Sequence, residues 1–245
     1  MRLSVYLGYL LGIIVVVGTI ITKEDTSYFL DPGALAITLG GTIAALLVHF
    51  SPKAFNSAFA SFAKLFTEKA YTTNQMMESL VAVSRDVRRN GIRNTLNSNI
   101  VRGNKFLEKA LMLVADGEDA DMIEEALMQE SVTITERNTL GEQVFKIGGS
   151  IAPQFGMMGT IIGLIAMLNR VEDPASIPAA MGLALVTTLY GLLMSTLFFK
   201  PAAGKIRIKN QIDTKVREII IQGALSIQNE DSPQITKEKL SIYLD

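Results

Sequence analysis

Ile147-Gly-Gly-Ser-Ile-Ala-Pro-Gln-Phe-Gly-Met-Met-Gly-Thr-Ile-Ile-Gly-Leu-Ile-Ala-Met-Leu168 decides the reading of the fold. It carries no charge, and about 20 mostly apolar residues suffice for a helix to cross a bilayer. Gly156, Gly159, Thr160 and Gly163 follow one another at i, i+3, i+4 and i+7, so they share one helical face. A second uncharged stretch, Ala179 to Phe199, repeats the pattern with Ala184, Thr188, Gly191 and Ser195. Small residues let helix backbones approach closely in lipid. Each stripe therefore predicts a packed helix–helix contact. Two further stretches qualify as spans: Leu3 to Ile21, and Gly33 to Phe50, where Ala36, Gly40 and Ala44 form a shorter stripe.

The expected fold is an all-α integral membrane protein with four transmembrane helices and a large cytoplasmic helical domain between helices 2 and 3. The expected divisions are 1–50 for the first two spans, 51–146 for the helical domain, 147–200 for the last two spans, and 201–245 for a C-terminal helix and tail. Orientation follows from Lys and Arg, which concentrate on the cytoplasmic side. The middle segment is rich in them, from Lys53 to Lys146, and the tail adds Lys200, Lys205, Arg207, Lys209, Lys215 and Arg217. The short connections hold only Lys23 and Arg170. The middle segment and both termini are thus expected in the cytoplasm. Met1-Arg2-Leu3 begins like a signal peptide, but 19–23 offers no small-x-small cleavage site, so the first span is read as retained.

The middle segment shows helical periodicity in Met76, Met77, Leu80, Val81, Val83 and Val87, and again in Phe106, Leu107, Ala110, Leu111 and Val114. Asp121 is a candidate cap for the helix after the acidic turn. The stretch 131–145 runs toward the third span, and 206–225 continues the fourth.

Composition excludes several classes. Of 245 residues 49% are hydrophobic, and the net charge is −1, with no basic face for a nucleic acid. There are no cysteines, hence no disulfide, thiol nucleophile or Cys-ligated metal. An intramembrane enzyme needs paired carboxylates, a Ser-His pair or metal ligands at depth. The sole histidine, His49, ends a span and reads as an interfacial side chain. The spans contain no Asp, Glu, Lys or Arg, only hydroxyls and carbonyls: Ser150, Thr160, Thr187, Thr188 and Ser195. Cation paths through lipid generally use an ionisable or coordinating group. A cation conductor of this composition requires a partner to supply the carboxylate. Pro153 lies inside the third span and reads either as a passive kink or as a hinge beside an ion path. Pro201 is expected to end the fourth. The third and fourth spans hold more small and polar surface than one hairpin requires, which points to an interface with another subunit.

Ala152-Pro-Gln-Phe-Gly-Met-Met-Gly-Thr-Ile-Ile-Gly-Leu164 resembles the third-helix motif of the flagellar stator A subunits, the MotA/PomA family. Asp173-Pro-Ala-Ser-Ile-Pro-Ala-Ala-Met181 is similar to their outer loop, and Leu185-Val-Thr-Thr-Leu-Tyr-Gly191 to their fourth-helix signature. Asp116-Gly-Glu-Asp-Ala-Asp121 and Gly223-Ala-Leu-Ser-Ile-Gln228 resemble their cytoplasmic motifs. The likeness keeps its order along nearly the whole chain.

The resemblance implies a pentameric ring around a dimer of MotB/PomB-type B subunits, which supply the membrane Asp. Ion flow past that Asp turns the ring, and the cytoplasmic domain pushes the rotor's switch-complex protein. Pro153 and Pro201 match the family's two functional prolines. Thr160, Thr187 and Thr188 match threonines of the sodium-driven branch, and oxygen ligands suit a hard cation. Sodium is therefore favoured over a proton as the transported ion, with no bound cofactor. The competing reading of the threonines is bonding to their own helix carbonyls. Ser150 stands where the family usually has Asp. The family's rotor-facing loop is matched by Arg88-Arg-Asn-Gly-Ile-Arg-Asn-Thr-Leu96. Arg88 matches the rotor arginine, Arg89 and Arg93 add positive charge, and Leu96 replaces the matching glutamate. That replacement keeps open a stator paralogue that drives another envelope process. An ExbB/TolQ-like energiser is the other alternative: it shares small-residue, proline-bearing helices, but four spans and the paired threonines argue against its three-span layout.

Overall fold

A computed structural model describes residues 2–22, 26–67, 71–169 and 177–243. Arg170, Lys23, Lys69 and Asp173–Ser176 of the expected outer loop lie outside the described residues. Among the described residues every regular element is helical. The first helix, α1, is Arg2–Ile21. The second, α2, joins Pro32–Leu35, a π-helical Ala36–Gly40 and Gly41–His49. Then come α3 (Pro52–Thr67), α4 (Thr73–Asn90), α5 (Ile92–Thr95), α6 (Asn99–Arg102) and α7 (Lys105–Asp116). Two long helices follow, α8 (Ala120–Leu168) and α9 (Ile177–Gln228), and then α10 (Pro233–Ser241). Among the described residues three helices are long and apolar enough to cross a membrane: Ser27–His49, α8 and α9; a shorter apolar stretch, Leu7–Ile21, lies in α1.

Local sequence sets the boundaries. The Asp31 carboxylate accepts the Ala34 N–H, and Pro32 opens α2 where a missing N–H costs nothing. Thr72 and Gln75 form a reciprocal capping box at the head of α4. Asn104 caps α7, and Gly117 closes it at φ 79°, a conformation that favours glycine. Asp121 is not a cap. The helix begins at Ala120, so Asp121 lies within the first turn, where its charge faces the positive helix end. Pro201 does not end its helix. It follows a π-helical turn, Met194–Phe199, and α9 runs on through it to Gln228.

The chain divides into two compact units, 1–67 with 138–207, and 68–137 with 208–245. In the first, Leu46, Ala58, Val144, Phe145, Ala152, Phe199 and Ile206 form an apolar cluster. Phe62 stacks on Phe145 with ring centroids 5.4 Å apart. Gly148 makes room for Phe199, since a Cβ there would lie 2.5 Å from that ring. In the second unit, Leu80, Leu107, Leu111, Ile123, Leu127, Ile219, Ile220 and Leu240 are wholly or almost wholly buried together. Arg217 is buried beside them. Its guanidinium donates to the hydroxyls of Ser131 (2.9 Å), Thr135 (2.8 Å) and Thr214 (2.9 Å). Burial lowers its pKa, opposed by Asp213 and Glu218.

Candidate functional site

The small faces of α8 and α9 are pressed together. A Cβ at Gly191 would stand 2.6 Å from the Ala152 carbonyl and 3.2 Å from the Gly156 Cα. One at Gly156 would meet the Thr187 carbonyl at 2.9 Å; one at Gly163 would meet Ala184 Cβ at 2.8 Å. Gly156, Gly159, Gly163, Ala184 and Gly191 are therefore spent on this hairpin. They are not the surface left for a second subunit, because each is already buried against the opposite helix. Met157, Met158, Ile161, Ile165 and Leu185 point outward and are largely exposed.

Within that contact the hydroxyls separate into different roles. Thr160 Oγ1 and Thr188 Oγ1 are 2.5 Å apart. Thr160 also donates toward the carbonyls of Ala184 (3.1 Å) and Gly156 (3.2 Å), and Thr188 reaches the same two oxygens at 3.4 Å. Two hydroxyls and two carbonyls thus converge across the helix pair, and both threonines are only half-buried. This is a neutral, oxygen-only cluster of the kind a hard cation accepts. Each threonine bonds a carbonyl of its own helix, as the competing reading expected, and in addition each bridges to the other.

Thr187 bonds neither of the other two hydroxyls and meets the cluster only at the shared Ala184 carbonyl. It is fully buried, donates to Ala184 O at 2.9 Å, and fills the space beneath Gly159, where a Cβ would lie 2.5 Å away. One residue is a turn of 100° on a helix, enough to bring Thr188 to Thr160 while Thr187 packs under Gly159. Ser150 is exposed and lies about 15 Å from Thr160 along the helix. Ser195 is fully buried and donates to Gly149 O at 2.5 Å. Pro153 sits between these points, half-buried, within an α8 that remains helical throughout.

Two features escaped the sequence reading. The Tyr190 hydroxyl donates to Phe29 O (2.6 Å) and accepts the Asp31 N–H (3.2 Å), tying α9 to the start of α2. Glu142, about four turns before Gly156 on α8, has its carboxyl pushed up by burial, opposed by Arg207 and Lys146. Tyr190 lies within the quoted fourth-helix signature, but its partners at 29 and 31 are distant in sequence, as is Arg207 from Glu142.

In the second unit, Arg88, Arg89 and Arg93 are exposed. Arg88 donates to Glu230 O at 2.8 Å, so its guanidinium is braced by the turn after α9. Leu96 is half-buried against the apolar core, packed inward where a glutamate would have to face water. Among the described residues no group of three or more His, Cys, Asp or Glu could hold a metal ion.

A glycine-packed apolar hairpin with a neutral oxygen cluster at its seam defines a helical protein of the membrane class. The family model for the MotA/TolQ/ExbB proton channel family matches residues 97–219. Chemotaxis protein PomA of Vibrio alginolyticus is 33% identical over all of this chain and 96% of its own length. The flagellar MotAB stator complex from Bacillus subtilis matches with a TM-score of 0.85 at 28% identity, covering 98% of this chain and 95% of that one. The C. jejuni MotAB structure matches with a TM-score of 0.87 at 20% identity, over 100% and 96% of the two chains, and speaks to the fold. The chain belongs to the MotA/TolQ/ExbB proton channel family. Its members of the stator type are ion-channel subunits, not enzymes.

Proposed function

We propose that this chain is the A-type subunit of a flagellar stator, in which sodium flow turns a ring of copies. The Thr160–Thr188 cluster carries the reading. It offers oxygens without charge, and the described apolar helices supply no carboxylate between 147 and 168 or between 177 and 199. A B-type partner then brings the acidic group. The similar structure from Bacillus subtilis is a MotAB stator complex, which supports a partner of the B type for this chain. In this reading α1, α2 and the apolar parts of α8 and α9 are the four spans of an inner-membrane protein, embedded in lipid. Residues 51–146 and 201–245 face the cytoplasm with both termini. The ring is a homo-oligomer, a pentamer by resemblance, and no nucleic acid is involved.

Pro153 and Pro201 are the conformational coupling points. Arg88, Arg89 and Arg93 form the basic patch offered to an acidic surface of the rotor's switch-complex protein. Rotation measured with and without sodium tests the ion. Rotation lost in sodium-free medium and restored by sodium is expected; undiminished rotation without it overturns the sodium assignment. A second reading is a stator paralogue or ExbB/TolQ-like energiser driving another envelope process. The inward packing of Leu96 favours it, because the rotor-facing carboxylate has no surface position there.

A further inference from the structure

Pro153 has no N–H, so the carbonyl four residues earlier, Gly149 O, loses the donor that an ordinary helix would provide. A carbonyl orphaned in an apolar interior is costly, and a serine from a neighbouring helix is one means of satisfying it. Ser195 meets that need: its hydroxyl reaches Gly149 O at 2.5 Å, and its side chain is 0% exposed. The surroundings are shaped to hold this bond. Gly149 has no side chain to block the approach, and a Cβ there would press on Lys200 Cγ at 3.0 Å and Phe199 Cβ at 3.3 Å. Ser195 itself lies in the π-helical turn Met194–Phe199, whose extra residue sets the direction of its side chain.

We infer that Ser195 is a positioning residue that latches the donor gap left by Pro153 in α8 to the π-turn of α9. The two irregularities are complementary halves of one joint. One helix lacks a donor, and the other carries a hydroxyl turned toward the vacancy. Seven residues above Ser195 on α9 is Thr188, and seven above Pro153 on α8 is Thr160, so the latch sets the register of the helices beneath the oxygen cluster. This assignment rests on the ion-channel reading for its consequence in rotation, but not for its chemistry.

A double-mutant cycle tests it in the full chain, co-expressed with a B-type partner and extracted in detergent. Ser195→Ala alone is expected to lower the thermal midpoint by about 4 °C, as one orphaned buried carbonyl would. Ser195→Thr, which keeps the hydroxyl, is expected to restore it. Pro153→Ala returns an N–H at position 153, which takes Gly149 O for itself. In that background Ser195→Ala is expected to have less than half its original effect. Equal effects of Ser195→Ala with and without Pro153 overturn the latch, whatever the protein drives. Where rotation is measurable, Ser195→Ala is expected to lower the maximal speed per stator while leaving the half-saturating cation concentration unchanged. A shifted half-saturation with unchanged maximal speed contradicts a positioning role. Absence of rotation in the unaltered chain, with the cycle intact, counts against the proposed function and leaves the latch standing.

Discussion

The α8–α9 hairpin and the unit built from 68–137 and 208–245 are both all-helical, yet they are held together by opposite means. In the hairpin the inside is small and hydroxylated, and the large apolar side chains point out: Met158, Ile161 and Leu185 are half exposed or more. In the other unit the large apolar side chains point in, with Leu80, Leu107 and Leu111 at 0–1% exposure. The proposed placement of the hairpin in lipid and of the other unit in water accounts for the difference. Where the surroundings are lipid, burying a leucine gains little and close backbone approach decides packing. Where they are water, burying apolar area dominates.

Each side of this contrast can be broken separately. The largest expected effect is in the water-facing core. Leu111→Ala should cost about 2–5 kcal/mol through lost burial and the cavity it leaves. Chemical denaturation of the extracted protein measures it. Next is a charge on the hairpin's outer face. Leu185→Lys should cost about 2.5–3.5 kcal/mol of membrane insertion, whereas Met122→Lys, at similar exposure in the other unit, should stay within about 0.5 kcal/mol. Membrane-fraction yields compare the two, and equal losses would erase the distinction of media.

A smaller effect follows from adding a single methyl at the seam. Gly191→Ala drives a Cβ toward the Ala152 carbonyl and should cost about 1–3 kcal/mol. A thermal melt that stays unmoved would show the hairpin to be loosely packed. The smallest effect is electrostatic. Hydrogen bonds from Lys239 (2.6 Å) and Ser226 (2.7 Å), with desolvation opposing, hold the Asp231 carboxyl below the usual carboxylate range. A lowered folded pKa contributes stability above the unfolded value of about 3.9, and that contribution is lost as pH falls through the folded value. Asp231→Asn should therefore flatten the acid limb of the stability curve. An acid limb of unchanged slope would show the bonds to be without consequence.

The same contrast explains what was legible in the sequence. The helices of the water-facing unit announce themselves by periodicity, and the buried residues Met76, Leu80, Phe106, Leu107 and Leu111 were all on the expected faces. The glycine stripe announced a close helix–helix contact, and the structure shows that α9 is the helix it meets. Which hydroxyl pairs with which was not legible. Thr187 and Thr188 are adjacent and chemically equal, and only the azimuth of α9 against α8 sends one into packing and the other to Thr160. The π-turns in α2 and α9 are backbone events without a residue signature, so Pro201 read as an end where the helix continues. Leu96 stood out as a missing charge; its inward packing required the fold of α5 against the core.

The most direct measurement of the central claim is cation flux into vesicles in three preparations: this chain alone, this chain with a B-type subunit, and the same pair with the partner's membrane Asp changed to Asn. Flux is predicted only for the intact pair, and Thr188→Ala should diminish it by removing one of the four converging oxygens. Flux through this chain alone, equal to that of the pair, would contradict a neutral oxygen cluster that works with a borrowed carboxylate.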